Sequence, residues 1–130
     1  MTADPNQLIE ELRRSLGKLE MALNAIAQAM LYTNAKGEIQ WCNAAFERMA
    51  QRRRLELLGT PLKKVMRLET SGKPLPWSKH PANAAARILR DKPLICRWRC
   101  GRKTLDVQIF RTPMVKDKDG AGFVFIIRAE

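Results

Sequence analysis

Apolar and polar positions change rhythm along these 130 residues, and each rhythm predicts a different element. From Pro5 to about Met30, Leu8, Leu12, Leu16, Leu19, Leu23, Ile26 and Met30 recur at steps of three and four, the spacing of one face of a long helix. From Leu16 onward the stripe is heptad-like, and a seam of this length exceeds what a small core needs. The expectation is an amphipathic helical unit over residues 1–28 whose Leu12, Leu16, Leu19, Leu23 and Ile26 pair with a second copy, followed by one domain over residues 29–130.

After the helix come short segments with turn chemistry between them. Ala29 to Thr33 and Glu38 to Cys42 read as a hairpin around Asn34-Ala35-Lys36-Gly37, where glycine supplies a positive φ. Asn43 is placed to cap a helical turn containing Ala44, Ala45, Phe46 and Met49. A further turn at Leu55-Glu56-Leu57-Leu58 is stopped by Gly59 and Pro61. Glu69 to Lys79, with Gly72, Pro74 and Pro76, predicts an irregular loop. Pro81 then suits the first position of a helix through Ala84, Ala85, Ile88 and Leu89 that ends near Asp91-Lys92-Pro93.

Beyond Pro93 the period falls to two. Leu94, Cys96, Trp98 and Cys100 alternate with Ile95, Arg97 and Arg99, and after a turn at Gly101-Arg102-Lys103, Leu105, Val107 and Ile109 alternate with Asp106 and Gln108. A turn at Lys116 to Gly120 leads into Phe123 to Ile127, which is apolar on both faces and so predicts an interior strand. Short helices between residues 44 and 89 would cover one side of the sheet, and the N-terminal helix or a partner the other.

Composition narrows the class. With 45% hydrophobic and 28% charged residues the chain suits one globular domain and is too short for two. No segment approaches a membrane span, and Met1-Thr2-Ala3-Asp4-Pro5 lacks the order of a secretory signal, so a cytoplasmic protein is expected. Cys42, Cys96 and Cys100 are odd in number and lack CxxC spacing, which argues against disulfides and zinc and for reduced, packed thiols. A single histidine, no G-x-S-x-G, no phosphate-binding glycine loop and no paired carboxylates in an apolar setting argue against an enzyme.

The net charge of +11 is unevenly placed, since residues 1–28 hold Arg13, Arg14 and Lys18 against Asp4, Glu10, Glu11 and Glu20. The rest of the chain therefore holds all of the surplus, densest at Arg52, Arg53, Arg54, Lys63 and Lys64, with Arg67 beside them and Arg97 and Arg99 on a strand. A nucleic-acid site would interleave exposed aromatics with the cations or dedicate a helix to a groove. Phe46 and Trp98 fall on apolar faces and no recognition helix stands out. The expectation is a solvated surface or one complementary to an acidic neighbour, with nucleic-acid binding ranked behind both.

Asn34-Ala35-Lys36-Gly37-Glu38-Ile39-Gln40-Trp41-Cys42-Asn43-Ala44-Ala45-Phe46 resembles the D-x-x-G-x-I-x-x-x-N-x-A-F signature of PAS domains, with Asn34 where Asp is commoner. Leu57-Leu58-Gly59 is similar to the E-L-L-G that follows it. Lys73-Pro74-Leu75-Pro76 with His80-Pro81-Ala82 resembles a subgroup found ahead of signalling kinases and cyclases, and Asp117-Lys118-Asp119-Gly120 leading to Gly122-Phe123-Val124 also matches. The likeness covers about Leu23 to Arg128. It implies an α+β PAS fold: a five-stranded antiparallel sheet with short helices on one face, and a long N-terminal helix.

The resemblance further implies a cytoplasmic sensory and dimerisation module, most often the regulatory part of a sensor histidine kinase. A cyclic-dinucleotide enzyme or a transcription regulator is an alternative setting, and a ligand-free interaction scaffold an alternative role. The family's usual D-I-T-type ending is replaced by Arg128-Ala129-Glu130. Either a kinase or other output domain follows a fragment, or the signal leaves by the N-terminal helix.

Among cofactors, Gly59 to Val65 lacks the cysteine of the flavin-photoadduct run, which excludes that chemistry. His80, beside Pro81, suits a capping or solvent-facing role better than haem ligation. Trp41, Trp77, Leu94, Cys96 and Trp98 are the candidates to line a pocket for a small organic molecule, against the competing expectation that the same side chains fill a core.

Overall fold

The computed structural model describes residues 4–25, 28–89, 91–114 and 122–129. Helix α1 spans Pro5–Ala25 and is followed by strands β1 (Ala29–Thr33) and β2 (Ile39–Cys42). Met30, counted above in the helical stripe, belongs to β1 instead, opposite Ile126. The cause is Asn43. Its side chain accepts from the backbone N–H of both Met30 and Phe46, each at 3.0 Å, and donates to the carbonyl of Gln28 at 2.9 Å. One buried amide thus ends the approach to β1 and caps helix α2 (Ala44–Ala50), as expected of its position.

Two single-turn helices follow, α3 (Arg54–Leu57) and α4 (Leu62–Val65). The hairpin turn before them is closed by Asn34, whose Oδ1 accepts from the N–H groups of Lys36 and Glu38 while its Nδ2 reaches the Glu38 carboxylate. An aspartate could not make that last bond, so the substitution of Asn for the commoner Asp gains a donor. Gly37 has a φ of 81°, and a Cβ there would come within 3.2 Å of the Ala82 carbonyl oxygen.

The sheet has seven strands rather than the expected five. β3 (Arg67–Thr70), β4 (Lys73–Pro74), β5 (Leu94–Cys100), β6 (Lys103–Pro113) and β7 (Phe123–Ala129) join β1 and β2 in the order β2-β1-β7-β6-β5-β3-β4, with every pairing antiparallel. Five of the seven are strands the sequence marked, β1 and β2 by turn chemistry, β5 and β6 by alternation and β7 by its apolar run. The extra pair is a short hairpin in the segment expected to be irregular, turning at Ser71 and Gly72, both with positive φ. Pro74 is tolerated because it lies on the outermost strand, where a missing N–H leaves no partner unsatisfied.

The helix expected from Pro81 to about Asp91 does not form among the described residues. A 3₁₀ turn at Trp77–Lys79 passes into successive turns through Ala86. Helical carbonyls would point along the axis, but here those of Pro81, Asn83 and Ala86 converge on the guanidinium of Arg111 in β6. Asn83 Oδ1 also accepts from Ala85 N, an Asx turn that competes with a helical bond. The turn expected at Lys116 to Gly120 lies outside the described residues.

The core sits on one face of the sheet. Leu31, Ile39, Cys42, Trp98, Val107, Ile109, Phe125 and Ile127 point inward and pack under Phe46, Leu57, Leu62 and Met66 of the helical side.

Candidate functional site

Strand register decides which aromatic side chains can meet. Trp98 is fully buried on the inner face, stacked on Phe46 with ring centroids 5.5 Å apart, and its Nε1 donates to the Val65 carbonyl at 3.2 Å. Cys96 is buried on the same face and Leu94 half-buried at its margin. Trp41 is elsewhere. β1 and β2 slip between Tyr32 and Thr33, which takes Ile39 and Cys42, three residues apart, both to the inside. Trp41 is left facing outward, stacked on Tyr32 at 6.0 Å. Trp77 stands on the periphery, 48% exposed, with Lys63 Nζ 5.1 Å from its ring centre.

The five candidate pocket residues are therefore not brought together. Two fill the inner face, Leu94 borders it, and two tryptophans lie outside it.

His80 and Arg111 are the polar groups that organise the inner face. His80 is buried rather than solvent-facing; its Nδ1 accepts from Ala82 N at 3.0 Å and its Nε2 lies 2.9 Å from the Met66 carbonyl, which fixes the proton on Nε2. Burial holds its pKa below the ordinary value, partly offset by the bond to Met66. With both ring nitrogens engaged, the imidazole does not fit an axial-ligand role for haem. Arg111 is also buried, lies 4.3 Å from the centre of the Phe123 ring, and has no carboxylate partner among the described residues. Desolvation lowers its pKa. The sequence carried a signal for it: Leu105, Val107, Ile109 and Arg111 share one phase, so the arginine falls on the apolar face.

The outer face is different in kind. Met30, Tyr32, Trp41, Val124, Ile126 and Phe110 are only half-buried, and Ile95 is exposed. The second half of α1 overhangs this face without filling it. Leu16, Leu19 and Glu20 form one wall and Tyr32, Trp41 and Val124 the other wall of a cleft of about 440 Å³. Leu8, Leu12, Leu16 and Leu19 are 52%, 61%, 56% and 57% exposed. The side chain of Leu23, and Ile26 entirely, lie outside the described residues. One ion pair ties α1 to the domain, Arg54 Nη1 to Glu20 Oε1 at 2.7 Å, and because both side chains are partly solvated it contributes no more than about 1 kcal/mol.

That pair also divides the basic patch. Arg54 is taken by Glu20 and Lys63 by Trp77, while Arg52, Arg53 and Lys64 remain exposed. On the outer face of β5 and β6 Arg97 pairs with Asp106 at 2.9 Å. Burial pushes the thiols of Cys42, Cys96 and Cys100 up to about 11, so they pack as neutral groups. Among the described residues no group of three or more His, Cys, Asp or Glu is placed to hold a metal, and no helix is long and apolar enough to cross a membrane.

Comparison with known proteins bears on the fold. A family model described as PAS fold matches residues 17–128. A PAS domain from a two-component sensor histidine kinase superposes with a TM-score of 0.66 at 14% identity, covering 91% of this chain and 98% of that one. The PAS domain of an HTR-like protein from Haloarcula marismortui gives 0.66 at 14% identity, with 96% and 99% covered. The PAS domain of nitrogen regulation protein NR(II) from Vibrio parahaemolyticus gives 0.63 at 13%, with 86% and 97% covered. No curated protein matches the sequence.

Proposed function

The chain belongs to the PAS family, and from that premise we propose that it is a cytoplasmic sensory and dimerisation module whose signal passes through α1, in the setting of a sensor histidine kinase. The observation that carries this proposal is the unsatisfied stripe of α1. Four leucines at helical spacing stay more than half exposed, Leu16 and Leu19 of them on an apolar cleft, and a monomer gains nothing by leaving that surface wet. A second α1 laid along the first, over the outer face, buries both. The kinase setting is supported by the two similar structures named for kinase and nitrogen-regulation proteins and by the likeness of Lys73 to Pro76 and His80 to Ala82 to a subgroup found ahead of signalling kinases and cyclases, which is analogy at the level of the fold.

In this proposal the inner face is a structural filling, and the input is a partner or ligand that alters the outer face. A small difference in how α1 pairs in two states would shift their populations and be passed along the helix. Haem and flavin photochemistry form no part of it. Nor is the chain proposed as an enzyme.

Sedimentation of the full chain against a truncation beginning at Ala27, and against Leu16→Glu/Leu19→Glu in the full chain, tests the proposal. The full chain is expected to dimerise and both variants to be monomeric with the fold retained. Equal monomeric behaviour of all three overturns the dimer helix and leaves the interaction-scaffold alternative without its surface as well.

A further inference from the structure

Outside α1, Arg54, Lys63, Arg97, Arg99, Arg111 and Arg128 meet a carboxylate, a ring or a carbonyl, and among the remaining cations one group gathers around β3. Lys64, Arg67 and Arg99 stand between two surface clefts that share them. One, of about 550 Å³, extends to Arg52 and Arg102; the other, of about 490 Å³, extends to Lys63 and Trp77. Together they make a groove around the β3 edge of β5. Among the described residues Arg52, Lys64, Arg67 and Arg102 make no ion pair, and Glu69, bound to Arg99 at 3.3 Å, is the one acid lining either cleft.

Two features mark this groove as more than a solvated surface. Arg67 and Arg99 are direct cross-strand partners, two like charges side by side of which Glu69 pairs with Arg99 alone. An anion on Arg67 would complete the neutralisation that Glu69 begins. The second feature is Trp77, a large aromatic left 48% exposed at one end of a row of cations, with a flexible lysine over its ring. Exposed aromatics beside a basic track are the combination that was missing from the sequence pattern, because nothing in the order of residues places Trp77 next to Arg67.

We propose that this groove binds a single strand of nucleic acid, with phosphates along Arg52, Lys64, Arg67 and Arg102 and a base stacked on Trp77 in place of Lys63. Arginine forks suit phosphate oxygens, and stacking on one aromatic is indifferent to base identity, so binding is sequence-tolerant. A duplex is the poorer fit, because α3 and α4 beside the groove are single turns with no length to enter a major groove. A small organic ligand is poorer still at the arginine end, where no aromatic side chain lines the cleft.

Fluorescence anisotropy of the full chain with labelled oligo(U) and oligo(dT), an unrelated duplex, and anionic lipid vesicles as competitor tests the proposal. Single strands should bind at low salt, with log affinity falling against log salt at a slope of about −3 for four phosphate contacts. Trp77→Ala should weaken binding roughly tenfold with little change in that slope. Arg52→Gln/Arg67→Gln/Arg102→Gln should weaken it more and flatten the slope, whereas the equal charge loss of Arg48→Gln/Arg87→Gln/Lys92→Gln, all at exposed sites outside the groove, should do neither. No binding at low salt, equal loss in the two triple variants, or tighter binding of duplex or vesicles unaffected by Trp77→Ala overturns the proposal. If the groove triple does not fold, the Trp77→Ala result alone decides.

Discussion

Trp98 and Trp41 sit on opposite sides of one sheet and show how differently its two faces are finished. Trp98 has no exposed surface, a stacking partner in Phe46 and a backbone acceptor for its N–H. Trp41 has a stacking partner in Tyr32 but remains half-buried at the mouth of an open cleft. The inner face is closed by residues from the same domain. The outer face is left half-covered by α1, with an open cleft between them. A sheet of this kind can hold its shape by one side and respond through the other.

Paired substitutions sharpen that contrast. Trp98→Ala removes a buried indole and leaves the Val65 carbonyl short of a donor, so it should cost about 3–5 kcal/mol in chemical unfolding, whereas Trp41→Ala in the monomeric Ala27 truncation should cost less than half as much. Equal losses would mean that the outer face is packed as tightly as the inner.

The next effect is one of acidity. Burial keeps the folded His80 pKa below that of the unfolded chain, near 6.5. Between those values the unfolded state binds the extra proton, so the contribution is complete above about pH 6.5 and is lost as pH falls through the folded pKa. The melting temperature should drop between neutral and mildly acid pH, and His80→Gln should flatten that drop. An unchanged slope in the variant would place the acid sensitivity outside the inner face.

The smallest effect should come from Ile126, the outward-facing one of two neighbours on β7, with Phe125 as its inward-facing control. Phe125 is buried and Ile126 half-buried, pointing to opposite faces. Ile126→Ala should change the stability of the truncated monomer by about 1 kcal/mol or less while weakening self-association of the full chain, and Phe125→Ala should do the reverse, costing about 3–5 kcal/mol without a specific effect on pairing. Identical behaviour would remove the distinction between the faces.

What was legible in the sequence follows from which interactions are local. The Asn43 cap, the Asn34 turn and the alternation of β5 and β6 are set by neighbours within a few residues, and all are where the pattern put them. The failed helix after Pro81 was a sound local expectation overruled at long range, since Arg111 lies 25 to 30 residues from the carbonyls it gathers. The extra β3–β4 hairpin is likewise set by pairing to β5, which no local rule foretells. Of the pocket set, Trp41 went astray by one step of register, since a regular β2 would have sent it to the same face as Ile39, and Trp77 because it falls on a 3₁₀ turn outside the sheet. The basic patch was visible as residues, but its division by Glu20 and Trp77 depends on contacts across the fold.

That slip between Tyr32 and Thr33 leaves Gln40 as the extra residue of β2, since Thr33 pairs with Ile39 and Tyr32 with Trp41. Deleting Gln40, which is exposed, would restore regular pairing and keep indole and thiol on the faces they hold now. The same excision without the bulge in place would have exchanged them. A one-residue loss at this point should therefore be accepted by the fold, because the spare length is already looped out of the ladder.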